Sequence, residues 1–98
     1  MYESSRVLEK AFQQRIMDVA KALKWLCFHV FDSRRSPPGF PDCVFVRGER
    51  LVFAELKSEK GKVTPEQQQW LDALAGVPGV VVKVWRPKDL QDAIEFLR

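Results

Sequence analysis

The 98-residue sequence predicts an α/β fold with the order helix, strand, strand, strand, helix, strand, helix (αβββαβα), built as a small mixed four-stranded sheet flanked by helices. Three observations predict it. Apolar residues recur at helical spacing through the opening stretch. Three short runs rich in β-branched and aromatic residues follow, two of them joined across a Gly-Glu turn. A Thr-Pro-Glu-Gln helix start then separates the third run from a valine-rich fourth, so a crossover and a parallel pair close the sheet.

Each element has its own signals. Residues 5–24 read as a helix because Leu8, Phe12, Ile16, Val19 and Leu23 share one face, with Ala11 and Ala20 beside them and Ser4 or Ser5 as the cap. Residues 25–31 are aromatic-rich and suit a strand. Residues 32–41 hold three prolines and a glycine, so they must be loop. Residues 42–47 and 50–57 form an antiparallel pair about Gly48-Glu49. After the polar loop 58–63, Thr64 caps a helix with Pro65 in its first turn and Gln67 as capping-box partner. That helix runs to about Ala75 and stops at Gly76, with Pro78 beyond. Residues 80–85 are apolar enough for burial on both faces. Pro87 opens a last helix that turns Leu90, Ile94 and Leu97 inward.

Composition narrows the function. The length suits one domain, and no repeat, low-complexity tract or linker divides it. No apolar run approaches the roughly 18 residues of a membrane helix. The start Met-Tyr-Glu-Ser-Ser-Arg lacks the charged and apolar regions of a signal peptide, so the expected location is the cytosol. Cys27 and Cys43 lie in apolar runs without CxxC spacing or an adjacent His ligand set, which points to reduced, buried, structural thiols and away from zinc. The net charge of +3 and pI of about 9.1 hint at a polyanionic partner. Arg34, Arg35, Arg47, Arg50, Lys57, Lys60 and Lys62 fall in the central third; the competing reading is a set of solvated loop charges.

The third strand carries the chemistry. Side chains alternate along a strand, so Val52, Ala54 and Leu56 take one face and Leu51, Phe53, Glu55 and Lys57 the other. Glu55 and Lys57 thus project side by side, a carboxylate to bind a hard cation and an ammonium to hold a negatively charged group beside it. Asp42 opens the second strand after the Gly39-Phe-Pro41 turn. Counting back and forward from the hairpin midpoint puts Asp42 and Glu55 at equal distances, hence opposite one another. Like charges facing across a sheet destabilise it unless something neutralises them. Oxygen ligands without a His or Cys cluster favour magnesium or manganese over zinc. Glu9 lies about 20° around the first helix from Ile16, at the edge of the apolar stripe, and is a further candidate ligand.

Gly39-Phe-Pro-Asp42, Glu55-Leu-Lys57 and Thr64-Pro-Glu-Gln67 ahead of Trp70-Leu71 together resemble the virus-type replication-repair nuclease (VRR-NUC) domain, a branch of the PD-(D/E)XK superfamily with a restriction-endonuclease-like core. The resemblance runs from about Glu9 to the region of Trp85. It implies that Asp42 and Glu55 ligate the metal, with the Leu56 carbonyl as a further ligand. It also implies that Lys57 orients the attacking water or stabilises transition-state charge. Glu9 matches the family's acidic residue of the first helix, and Gln67 a recurrent glutamine that its capping role also explains.

The resemblance implies a Mg2+- or Mn2+-dependent DNA endonuclease that cleaves phosphodiesters, acts on branched DNA as Holliday-junction resolvases do, and works as a homodimer in a bacterial or phage-infected host cytosol. No nucleotide cofactor and no membrane enter this reading. Arg34, Arg35, Lys60 and Lys62 are the expected phosphate contacts, and weak sequence preference follows because such contacts carry no base information. His29 and Ser33 are further candidates for touching DNA. Trp25, Trp70 and Trp85 could stack on bases but sit on apolar patterns that suit core packing. Competing functions are a non-specific endonuclease, a catalytically idle DNA-binding module of the same fold, and an interaction protein that uses the fold as a scaffold.

Overall fold

The computed structural model describes residues 2–30 and 38–98, with side chains from residue 9 onward in that span. The elements are α1 (Tyr2–Ala22), β1 (Leu26–His29), β2 (Cys43–Arg47), β3 (Arg50–Leu56), α2 (Pro65–Ala75), β4 (Val80–Trp85) and α3 (Leu90–Leu97). A 3-10 turn at Pro87–Asp89 leads into α3. The order αβββαβα and the mixed four-stranded sheet are those expected from the sequence. Strands lie in the order β1-β2-β3-β4, antiparallel in the first two pairs and parallel in the last.

The alternation read from β3 sets the layers. Val52, Ala54 and Leu56 are buried with Cys43 and Phe45 of β2 on one sheet face. Phe12, Ile16, Met17 and Ala20 of α1 and Ala93 and Leu97 of α3 join the same core, closed by Trp25 and Trp85. Trp25 donates its indole N–H to the Leu97 carbonyl at 2.8 Å, so its single polar atom is satisfied inside the core. On the opposite face Phe53 meets Phe40, and Phe40 meets Trp70 of α2, in edge-to-face contacts at 6.1 and 5.0 Å. All three tryptophans therefore pack against the protein's own side chains.

Several boundaries differ from expectation for identifiable reasons. α1 begins at Tyr2, so Ser4 and Ser5 stand inside the helix and not at its N-cap position. It ends at Ala22 because Lys24 takes φ +74°, letting the Trp25 N–H reach back to the Ala20 carbonyl at 3.0 Å. This is a left-handed helix stop built without glycine. β4 is not buried on both faces: Val80 to Val84 are half-buried and Trp85 is buried, because among the described residues β4 pairs with β3 alone, at the edge of the sheet. Gly76 stays right-handed at φ −79°, and the reversal after α2 is made at Gly79, with φ +85°. In α3 the buried positions are Ala93 and Leu97, with Leu90 packed beside them and Ile94 half-buried. Cys43 is buried and its thiol lies 3.8 Å from the Met17 sulfur, whereas Cys27 is only half-buried; both are free thiols.

Candidate functional site

The β2–β3 register runs from Arg47↔Arg50 out to Cys43↔Ala54, and one more step sets Asp42 opposite Glu55. There the ladder changes hands. The Asp42 carbonyl accepts from Val30 N–H at 2.9 Å, tying it toward β1. Its side chain turns to β3 instead, where Oδ2 accepts the Leu56 N–H at 2.9 Å. On the far side of β3, the Lys57 N–H donates to the Trp85 carbonyl at 2.9 Å. Because N–H and C=O groups alternate sides residue by residue along a strand, the Leu56 carbonyl faces away from β4 and toward Asp42.

Glu55 is the one charged residue buried among the described residues, at 3% exposure. Its Oε2 accepts from Gln67 Nε2 at 3.1 Å and lies 3.7 Å from Lys57 Nζ. Its Oε1 is buried with no hydrogen-bond partner. Burial first, then the neighbouring Asp42 carboxylate, push the Glu55 carboxyl up to about 7, with Lys57 pulling the other way. A buried, unsatisfied carboxylate oxygen is costly unless a cation or donor meets it. Two carboxylates and a backbone carbonyl are hard oxygen donors, so the residues present fit a divalent cation such as magnesium or manganese.

The turn before Asp42 fastens this site to α2. Gly39 has φ +90°, and a Cβ there would lie 2.5 Å from the carbonyl carbon and oxygen of Glu66 and 2.8 Å from the Gln67 nitrogen. Only glycine allows the turn to press against the first turn of α2 in this way. Pro41 is fully buried and Phe40 wedges between Phe53 and Trp70. The capping box forms: Gln67 N–H donates to Thr64 Oγ1 at 3.1 Å, and Gln67 Oε1 accepts the Thr64 N–H at 2.9 Å. With Oε1 on the cap, Nε2 is directed onto Glu55. The capping and site roles of Gln67 are thus two ends of one amide.

The other sequence candidates are placed as follows. Glu9 is half-buried, on the same side of α1 as Ile16. Among the described residues no three His, Cys, Asp or Glu side chains form a group able to hold a metal ion, so Glu9 is not gathered with Asp42 and Glu55. His29 is half-buried and lines a cleft of about 520 Å³ between α1 and the end of β1, which also reaches Asp42. Lys60 and Lys62 are exposed on the loop after β3. Ser33, Arg34 and Arg35 lie outside the described residues.

Part of the central positive charge is internal. Arg47 donates to the carbonyls of Leu23 and Arg98, both at 2.9 Å, and Arg50 to those of Phe96 and Arg98 at 2.6 and 3.2 Å. Both guanidinium groups lie 4.7 Å from the Trp25 ring centroid. They cap α3 and brace the core rather than form a free basic patch. Arg86, passed over in the sequence, braces the site. Its Nη1 donates to the carbonyls of Ser58 and Gly61, each at 2.6 Å, and to that of Glu59 at 3.4 Å, gathering the loop that follows Lys57. Its one signal was a cation directly after an apolar strand.

Comparison with known proteins agrees with this arrangement. A solved structure described as a VRR_NUC domain matches with a TM-score of 0.70 at 24% identity, covering 89% of this chain and 94% of the other. Another, a VRR_NUC domain protein, matches with a TM-score of 0.65 at 22% identity, covering 92% and 89%. A search of curated proteins found no match. The family model of the VRR-NUC domain matches residues 2–88, everything up to the start of α3, and the chain accordingly belongs to the VRR-NUC domain family, whose fold is of nuclease type.

Proposed function

We propose that this protein is a magnesium- or manganese-dependent endodeoxyribonuclease that hydrolyses phosphodiester bonds in branched DNA as a homodimer. The observation that carries the reading is Glu55: a buried carboxylate with one oxygen unsatisfied, set beside Asp42 and within reach of Lys57. A purely structural position favours an apolar residue there, since an unpaired buried charge destabilises the fold.

Asp42, Glu55 and the Leu56 carbonyl would hold the cation. When bound, the ion supplies Lewis-acid charge and activation of water. Gln67 fixes one Glu55 oxygen and so leaves the other directed at the site. Lys57, 15% exposed, keeps its ammonium at the surface of the site, where it meets negative charge growing on a phosphate. Lys60 and Lys62 sit on the adjoining loop and supply phosphate contacts, as would Arg34 and Arg35. Support for a second copy comes from the edge strand β1, where Leu26 and Phe28 are 75% and 59% exposed next to Val46 at 37%. Cutting both strands of a junction needs two sites related by a twofold axis.

The test is cleavage of plasmid, linear, flapped and four-way-junction DNA with magnesium or manganese, beside Lys57→Ala. Symmetric junction cuts that vanish in the variant are the expected result. Equal cutting of every substrate would keep the nuclease and remove the branch selectivity. DNA binding with no cutting under either metal would overturn the enzyme and leave a binding module.

A further inference from the structure

The cleft beside Asp42 contains residues that the proposed metal site does not use. Lys10, Gln13, Gln14 and Lys21 of α1 form one wall, and His29 and Asp42 stand across from it. At about 100° per residue, these four α1 positions fall within an arc of roughly 100° that overlaps the edge of the buried stripe, where buried Met17 also lines the cleft. Lys10 and Lys21 are both exposed at their positions in the wall. The ion pairs among the described residues, Lys57–Glu55 and Arg98–Glu95, involve neither of them. Gln14 donates its amide to Asp18 at 2.8 Å.

The length of this wall decides what it suits. Eleven residues of helix span about 16 Å between Lys10 and Lys21, at roughly 1.5 Å per residue. A single phosphate does not fill a wall of this length. A nucleic-acid strand, advancing about 3.4 Å per nucleotide along the helix axis, covers that distance in about five steps. Ammonium groups and amides are the side chains that contact phosphate without reading bases.

We propose that this cleft is a nucleic-acid backbone tract, in which Lys10 and Lys21, with the Gln13 amide between them, hold the strand leading away from the phosphodiester at Asp42. The proposal rests on the nuclease reading for its ligand class, but it makes a separate claim about binding. It places the tract along α1, on the side of the sheet opposite α2, whereas Lys60 and Lys62 serve the loop after β3.

Binding measured in EDTA, where no cleavage occurs, tests it. A labelled duplex and its matching single strand are titrated over a salt series with the wild type, the double variant Lys10→Gln/Lys21→Gln, and Lys88→Gln, an exposed cation outside the cleft. Removing one lysine–phosphate pairing lowers the slope of log K against log salt by about 0.9 on duplex and about 0.7 on single strand. The double variant should therefore show a slope smaller by about 1.8 on duplex or by about 1.4 on single strand, the form whose slope falls being the one that occupies the tract, with Lys88→Gln unchanged. Far-ultraviolet circular dichroism confirms that the exposed substitutions leave the fold intact. An unchanged slope in the double variant, or an equal drop in Lys88→Gln, overturns the tract and leaves the nuclease reading standing. Failure of the wild type to bind either form also overturns the tract, while the nuclease reading is decided separately by cleavage in magnesium or manganese.

Discussion

Replacing Glu55 by Gln keeps the size of the side chain and its acceptor for Gln67 but removes its charge. In the folded protein this carboxyl titrates near 7 instead of 4.5. Between those values the native state binds more protons than the unfolded chain, so stability falls as pH rises through the window. The cost is absent below 4.5 and fully present above 7. Each pH unit separating the two values is worth about 1.4 kcal/mol, so the cost amounts to roughly 3 kcal/mol. Glu55→Gln carries no such cost. In chelator at pH 8 the variant should be more stable than the wild type by up to roughly 3 kcal/mol, equivalent to a melting temperature higher by roughly 10 °C or more in a domain of this size. The advantage should shrink as the pH is lowered and vanish near pH 4.5. Magnesium should stabilise the wild type alone and narrow the gap, since a ligand that binds only the native state adds stability with its concentration. Urea denaturation across this pH range, with and without magnesium, measures all of this, and the variant should cut no DNA. A variant no more stable than wild type at pH 8, or an advantage independent of pH, would refute the argument that Glu55 is held in its place for chemistry at the expense of the fold.

Other outcomes follow from the same geometry. Lys57→Ala should lower the cleavage rate by about 10²- to 10³-fold, as loss of one preorganised electrostatic group does, with Lys57→Arg recovering part of it in single-turnover kinetics. Gly39→Ala should destabilise the fold by at least about 2 kcal/mol in thermal melts, because the left-handed backbone and the close approach to Glu66 both oppose a Cβ. Lys24→Gly should raise stability by about 1 kcal/mol, since it relieves a left-handed non-glycine residue at an exposed helix end. Leu26→Lys/Phe28→Glu should convert the proposed dimer to a monomer in light scattering without loss of helix or sheet content; a variant as dimeric as the wild type would exclude the β1 edge as the interface.

The element order was legible because each element carries a local signal. The capping box at Thr64 and Gln67, the Gly48-Glu49 hairpin and the alternation in β3 all act within a few residues. The opposition of Asp42 and Glu55 was legible for the same reason: a short hairpin fixes register, and register fixes the pair. What the sequence concealed depends on distant partners. Nothing around Val80 to Trp85 distinguishes an edge strand from a central one, because strand order is decided by the whole sheet. Arg47 and Arg50 read as free charge until α3 folds back to present its terminal carbonyls. The helix stop at Lys24 has no glycine to announce it.

Gln67 shows why the local and distant signals cannot be separated at the site. One end of its amide caps α2 and the other holds Glu55. A capping box needs only the acceptor oxygen, so the side-chain nitrogen is available for a second partner. Glutamate at the same position would cap the helix equally well but would set a third carboxylate against Asp42 and Glu55, and that repulsion would push the Glu55 carboxyl still higher. Gly39 then becomes part of the same device, because its missing Cβ lets the Asp42 turn press against the residues that start α2. Thr64, Gln67, Gly39, Asp42 and Glu55 therefore form one connected unit. Forming the cap of α2 brings the Gln67 amide to Glu55, and seating the Gly39 turn brings Asp42 to the same place, so the packing that completes the fold also assembles the two carboxylates.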